Sequence, residues 1–238
     1  MTASAISTIA VLAGGLATRM RPLTEIVPKA LLNVAGEPFV VHQLRLFKRE
    51  GIARVVLCVG YRGEQIVDFV GDGSRFGLEV GYSIDGDRLL GTGGALRKAL
   101  PHLGDPFYVI YGDSYLDISY PSVAEHFVAS GKEGLLTVFR NEGRWDQSNV
   151  VFEAGTVLAY SKTSARPGMH HIDYGLGILR ASTLLANSEH EAFDLSDIYS
   201  ALAARGELAG YEAAHRFYEI GSRAGLSEAE VYIAEHKE

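Results

Sequence analysis

The chain has 238 residues, 47% of them hydrophobic, which suits one α/β domain with a continuous core. Its 22 basic and 29 acidic residues leave a formal net charge of -7. That sign excludes non-specific attraction to nucleic-acid backbones, while a locally positive pocket can still take a mononucleotide. No apolar stretch reaches membrane-spanning length, and no basic segment precedes a hydrophobic block at the N-terminus. A cytoplasmic protein without membrane or nucleic-acid partners is the expectation. The single Cys58 sits in an apolar run and reads as a small core residue in a reducing compartment. Composition leaves the oligomeric state open, a homo-oligomer included.

In chain order, Ile9 to Leu12 reads as a strand running into Gly14-Gly15. Phe39 to Gly51 places Val40, Leu44 and Phe47 on one helical face and stops at a glycine. A strand over Arg54 to Val59, a helix over Glu64 to Val70 and a strand over Glu79 to Ser83 follow. Next come a helix over Gly93 to Leu100 and a strand over Phe107 to Tyr111. This alternation predicts a mostly parallel sheet covered on both faces, in a three-layer Rossmann-like α/β fold. Such sheets bind ligands at the carboxyl ends of their strands, directing attention to the residues after Leu12 and Tyr111.

From Gly134 the pattern turns β-rich, with strands predicted over Leu135 to Phe139, Asn149 to Phe152, Val157 to Tyr160 and Tyr174 to Leu179. Glu153-Ala154-Gly155-Thr156 reads as a hairpin turn. Helices are predicted over Leu195 to Arg205 and from Ser227 to the end, Ser227 and Glu230 having capping-box spacing. One domain is expected, residues 1–133 binding nucleotide and 134–238 folding over the cleft as a lid.

The informative stretch is Leu12-Ala13-Gly14-Gly15-Leu16-Ala17-Thr18-Arg19-Met20-Arg21-Pro22-Leu23-Thr24, continuing to Pro28-Lys29-Ala30-Leu31. Two glycines after a buried strand allow a sharp turn whose successive N–H groups can cradle phosphate oxygens. Thr18 adds a hydroxyl, Arg19 a planar fork and Lys29 a point charge. The spacing is not that of a P-loop, and no Gly-x-Gly-x-x-Gly follows. Asp113, after Tyr111-Gly112 at a strand end, is an oxygen ligand suited to Mg²⁺.

This stretch resembles the signature of the sugar-1-phosphate nucleotidyltransferases, with Ala17 in place of a glycine and Ala30 in place of a proline. The resemblance implies transfer of a nucleoside monophosphate from an NTP to a sugar 1-phosphate, with release of pyrophosphate. It implies that Arg19 and Lys29 contact the phosphates and that Leu90-Gly91-Thr92-Gly93-Gly94-Ala95 packs against base and ribose. Asp113 matches the family's metal-binding aspartate, and Glu219 in Tyr218-Glu219-Ile220-Gly221 stands where a second one is usual. Lys162 matches the sugar-phosphate lysine, though Ser161 replaces the glutamate before it. Asp173-Tyr174-Gly175 falls where the family touches the sugar, making Asp173 and Gly175 candidates there. The expected cofactor is Mg²⁺.

Within the family the Tyr82 to Ala95 region most resembles D-glycero-α-D-manno-heptose 1-phosphate guanylyltransferases, implying GTP and a heptose 1-phosphate. Asp85 and Asp87 offer only acceptors, matching the neighbouring N1–H and 2-amino donors of guanine. An exposed turn at Asp85-Gly86-Asp87 is the competing reading. Mannose, glucose and amino-sugar 1-phosphates with GTP, UTP or dTTP stay open, as does a silent regulatory subunit that only binds nucleotide or sugar phosphate. The chain reads as too short for the β-helical C-terminal domain of larger relatives.

Overall fold

The computed structural model describes residues 6–86, 88–145, 147–164, 166–186 and 191–236. The first half contains strand β1 (Thr8–Leu12), the short pair β2 (Asn33–Val34) and β3 (Glu37–Pro38), and helix α1 (Phe39–Arg49). It continues through β4 (Arg54–Val59), α2 (Gly63–Val70), β5 (Glu79–Ile84), α3 (Gly91–Ala99), β6 (Phe107–Tyr111) and β7 (Ser114–Tyr115). The second half runs α4 (Tyr120–Ser130), β8 (Gly134–Arg140), β9 (Val150–Glu153), β10 (Thr156–Tyr160) and β11 (His171–Leu179). It closes with α5 (Ala181–Leu185), α6 (Leu195–Ala204), β12 (Leu208–Glu212), β13 (Tyr218–Glu219) and α7 (Arg223–Glu235).

Strand periodicity makes the three layers. Ile9 and Val11 of β1, with Val55, Leu57 and Val59 of β4, face a core closed by α1, α2 and α4 through Leu44, Phe47, Ile66 and Phe127. The intervening Ala10, Val56 and Cys58 face the other side, against Leu96 of α3 and Ile198 and Leu202 of α6. A third, smaller cluster seats α7 on Val34, Phe39 and Ile220 through Ala229 and Ile233.

The sheet order is β5-β4-β1-β6-β11-β8-β12-β10-β9. The first four strands are parallel to one another, as the alternation predicts. The β-rich half, expected to fold over the cleft, continues the same sheet. Here β11 is antiparallel to β6 and β8, β12 is parallel to β8, and the β9–β10 hairpin forms the far edge. Edge pairing satisfies backbone groups that a separate layer would leave to solvent. The last helix starts at Arg223, earlier than predicted, because the Ser222 side chain accepts from the Gly225 N–H and caps it. Helix α4 escaped the periodicity reading, although Ser119 caps it and Tyr120, Val123 and Phe127 share its buried face. The hairpin turn does occur at Ala154 and Gly155, both at positive φ.

Strand β11 is bulged. Its register against β8 jumps between Asp173 and Gly177, and Gly175 there has φ +99°. The Thr137 hydroxyl fills the broken ladder, donating to Leu176 O at 2.7 Å and accepting from Leu176 N at 3.3 Å. Bulges re-aim side chains, and this one involves a sequence candidate, Asp173.

Candidate active site

A cavity of about 300 Å³ opens at the carboxyl ends of β1, β4 and β6. Its wall includes Leu12, Ala13, Gly14 and Gly15 from the turn after β1, and Tyr111, Gly112 and Asp113 from the end of β6. Lys29, Asp85, Gly91, Thr92 and Lys162 complete the polar part of the wall. Ten of the sequence candidates therefore meet in one space: Leu12, Ala13, Gly14, Gly15, Lys29, Asp85, Gly91, Thr92, Asp113 and Lys162. Close backbone approach explains the glycines here. A β-carbon on Gly112 would lie 2.9 Å from Leu12 O, and one on Gly60 would lie 2.8 Å from Gly14 O.

Other candidates lie elsewhere. Thr18 and Arg19 are exposed on a one-turn 3-10 helix outside the wall; no hydrogen bond or ion pair from Arg19 is present among the described residues. Ala17, where the family signature has glycine, holds a left-handed φ of +49°. The departure thus changes the residue at a glycine-type backbone position. Gly93 is not in the cavity wall; it is buried with Gly94 against residues 191–193, and a β-carbon on it would overlap the Phe193 ring. Its lack of a side chain serves helix packing, so Gly93→Ala is expected to cost about 1–3 kcal/mol by overpacking. A lowered midpoint in denaturant with unchanged nucleotide affinity in the folded protein is the result to look for. Asp87 lies outside the described residues.

Both lysines of the wall are paired with carboxylates. Lys29 Nζ lies 2.5 Å from Asp113 Oδ2, each side chain about one-fifth exposed. Lys162 Nζ donates to Asp194 Oδ2 at 2.8 Å. Asp194 also caps α6 by accepting from Ser196 N at 2.9 Å. Burial alone would raise the Asp194 carboxyl, but the bonds from Lys162 and Ser196 outweigh it and hold its pKa below the ordinary value. Sequence reading missed Asp194, although an Asp before an apolar helical run is a cap signal.

Asp85 closes another part of the wall. Its Oδ2 is 3.4 Å from Leu90 N, whereas Oδ1 is buried with no hydrogen-bond partner among the described residues. Burial raises its pKa above the usual carboxylate value. An orphaned buried acceptor loses hydration without compensation, so it favours a donor-bearing ligand. Cys58 is buried beneath the same wall, its thiol pushed up to about 12 by desolvation, which makes it inert.

Asp173 and Gly175 are not part of the wall. Asp173 accepts from the Tyr160 hydroxyl at 3.2 Å and from Gly175 N at 2.9 Å, while its own N–H donates to Asn149 Oδ1 at 2.9 Å. Gly175 packs toward Ser114 and the cavity-lining Tyr111, each within 3.6 Å of where its β-carbon would be. Desolvation raises the Asp173 carboxyl to about 6, against the opposing hydrogen bonds. Because the folded value exceeds the unfolded one, the native state binds the extra proton between about pH 4 and 6. Stability linked to this group is complete below that window and is lost as pH rises through it. Asp173→Asn is expected to flatten the slope of unfolding free energy across pH 4 to 6, read by urea titration at several pH values. An unchanged slope would remove Asp173 as its source.

Glu219 reaches the site through the ribbon β7–β13, where it pairs with Ser114, next to Asp113. Ile220 N donates to Asp113 O at 2.9 Å and fixes that register. A β-carbon on Gly221 would overlap Glu219 Oε2 and lie 3.2 Å from Asp113 Oδ2, so the two carboxylates border one small space. Glu219 also accepts from Gly221 N at 2.5 Å and from the Ser222 hydroxyl at 3.0 Å. Two oxygen-donor carboxylates fit Mg²⁺, a hard cation that keeps several of its waters. No cluster of three or more His, Cys, Asp or Glu occurs among the described residues. No helix there is long and apolar enough to cross a membrane.

A family profile described as nucleotidyl transferase matches residues 9–151. The chain is 42% identical over 111 residues to N-acetylmuramate alpha-1-phosphate uridylyltransferase of Neisseria meningitidis serogroup B, covering 46% of this chain and 48% of that protein. It is 28% identical over 217 residues to mannose-1-phosphate guanylyltransferase catalytic subunit beta of Xenopus tropicalis, covering 89% of this chain and 60% of that one. The chain thus spans about half to three-fifths of the length of these curated relatives. The crystal structure of HddC from Yersinia pseudotuberculosis complexed with GMP-PN has the same fold, with a TM-score of 0.78 at 22% identity, covering 96% of this chain and 100% of that one.

Proposed function

The chain belongs to the nucleotidyl transferase family, and from that premise we propose that it joins an NTP to a sugar 1-phosphate and releases pyrophosphate. The observation that carries the reading is the shared cavity: a glycine turn after β1, Lys29 and Lys162 in one wall, and Asp113 between the strand ends. Two polyanions repel each other in water. Fixed cations along one cavity offset that repulsion and hold the reacting groups together.

In the proposed reaction an oxygen of the sugar phosphate attacks the α-phosphorus of the triphosphate in line. The bond from the α-phosphorus to the bridging oxygen breaks, and pyrophosphate leaves with the electron pair. Lys29 and Lys162 exchange their carboxylate partners for phosphate oxygens. Arg19, exposed and unpaired among the described residues, closes on the departing pyrophosphate. Asp113 and Glu219 would hold Mg²⁺, which supplies positive charge to the phosphates when bound. Thr18 contributes its hydroxyl to the phosphates. On the sugar side, Asp173 accepts sugar hydroxyls from the bulge, and Gly175 lets Tyr111 of the wall and Ser114 pack closely behind it.

For the nucleotide, the proposal is GTP. Asp85 Oδ1 is an acceptor without a donor among the described residues, and the guanine edge supplies two. The guanylyltransferase similarity spans most of the chain and agrees. For the sugar, the motif resemblance favours a heptose 1-phosphate. The second reading is UTP, favoured by the 42% identity to a uridylyltransferase; uracil N3–H can also donate to Asp85. The test is pyrophosphate release with GTP, ATP, UTP, CTP and dTTP, each paired with heptose, mannose, glucose and N-acetylmuramate 1-phosphates. GTP with heptose 1-phosphate should be fastest. Faster turnover with UTP or dTTP would sink the guanylyl assignment and keep the reaction class; no release with any pair would sink both.

A further inference from the structure

The stretch between Arg19 and Lys29 is poorly packed. Arg21, Pro22, Leu23, Glu25 and Ile26 are exposed, Ile26 by 71%, and of residues 21–27 only Thr24 is buried. Packing of that kind does not hold a loop in one place. Beyond the Thr24 hydroxyl, which donates to Ala17 O at 2.9 Å, its side-chain hydrogen bonds among the described residues come from the turn between β4 and α2 and from the first turn of α2. Arg62 Nη2 donates to Glu25 O at 2.6 Å, Gln65 Nε2 to Ile26 O at 3.1 Å, and the Tyr61 hydroxyl to Glu25 O at 3.4 Å. Arg62 Nε donates to the Tyr61 hydroxyl at 3.1 Å, which orients the guanidinium. The same turn grips the glycine loop, since Tyr61 N donates to Gly14 O at 3.3 Å.

Arg62 itself has φ +55° and ψ +29°, the left-handed conformation that L-residues with a β-carbon avoid. Glycine would suit that backbone better. The arginine's distinct contribution is its side chain, spanning 37 residues of sequence to the loop.

We propose that Arg62, assisted by Gln65, is a positioning residue that latches the 21–27 loop and so places Arg19 and Lys29 for the triphosphate. The proposal rests on the reading of those two cations as phosphate contacts. Arg62 touches no substrate in this scheme; it acts through the loop. A charge-assisted bond to a carbonyl is stronger than a neutral one, and small misplacements of catalytic charge are costly.

Arg62→Gly is the test, because glycine tolerates the backbone and removes the latch. Amide hydrogen exchange in residues 21–27 should accelerate in the variant while exchange in β1, β4 and β6 stays unchanged. kcat/KM for the NTP should fall about tenfold, with the KM for sugar 1-phosphate unaltered and Tm not lowered. In an Arg19→Ala, Lys29→Ala background the Arg62→Gly effect should shrink below about twofold, since a residue acting through others is non-additive with them. Gln65→Ala should reproduce the exchange result in weaker form. Unchanged loop exchange would overturn the latch. So would a lowered Tm with normal turnover per folded molecule, or a full tenfold loss in the background lacking both cations. An inactive wild type whose loop exchange still accelerates on Arg62→Gly would uphold the latch and sink the proposed reaction.

Discussion

Asp113→Asn is expected to abolish magnesium-dependent pyrophosphate release, a fall of about a thousandfold or more, with the fold intact. The side chain is nearly isosteric, so the loss reports charge. Two effects act in the same direction. The amide cannot supply an anionic oxygen to a hard cation. It also dissolves the 2.5 Å ion pair that holds Lys29 in the wall. The Glu219 variants separate these effects, because Glu219 has no lysine partner among the described residues and borders the same space as Asp113. Glu219→Asp should keep activity, whereas Glu219→Ala should be severely impaired. Glu219 also holds the turn through Gly221 and Ser222, so Glu219→Gln is the better control for structure. Full turnover in Glu219→Gln would make the residue a turn anchor and place the metal elsewhere.

Arg19→Ala should lower turnover by about a hundredfold, the scale of losing one preorganised charge contact to a developing anion. Its unfolding free energy should change by less than about 0.5 kcal/mol, because an exposed side chain without partners among the described residues contributes little to the fold. Arg19→Lys should recover only part of the loss, since lysine keeps the charge but not the planar two-point fork. The measurements are steady-state pyrophosphate release and urea unfolding on the same preparations. Near-normal turnover in Arg19→Ala would remove it from the mechanism.

Much of the nucleotide half was legible in the residues. The apolar runs of β1, β4 and β6 are local signals, and a glycine follows each within two residues of the strand's carboxyl end. Backbone geometry then dictates that the turn after Leu12 and the residue after Gly112 face one crevice. Lys29, Gly91 and Lys162 were placed by the family resemblance, and they do meet in that crevice.

What the tertiary structure decided are the partners, because pairing across 30 or more residues leaves no local trace. Asp194 holding Lys162, Thr137 repairing the β11 bulge, and Arg62 gripping Glu25 all depend on which elements become neighbours. The joining of the β-rich half to the main sheet is of the same kind: strand patterns state which face is apolar and leave open which edge is extended. Gly93 shows the limit from the other side. Nothing local in the sequence shows that this motif glycine also makes room for a phenylalanine; only the ring of Phe193 against it does.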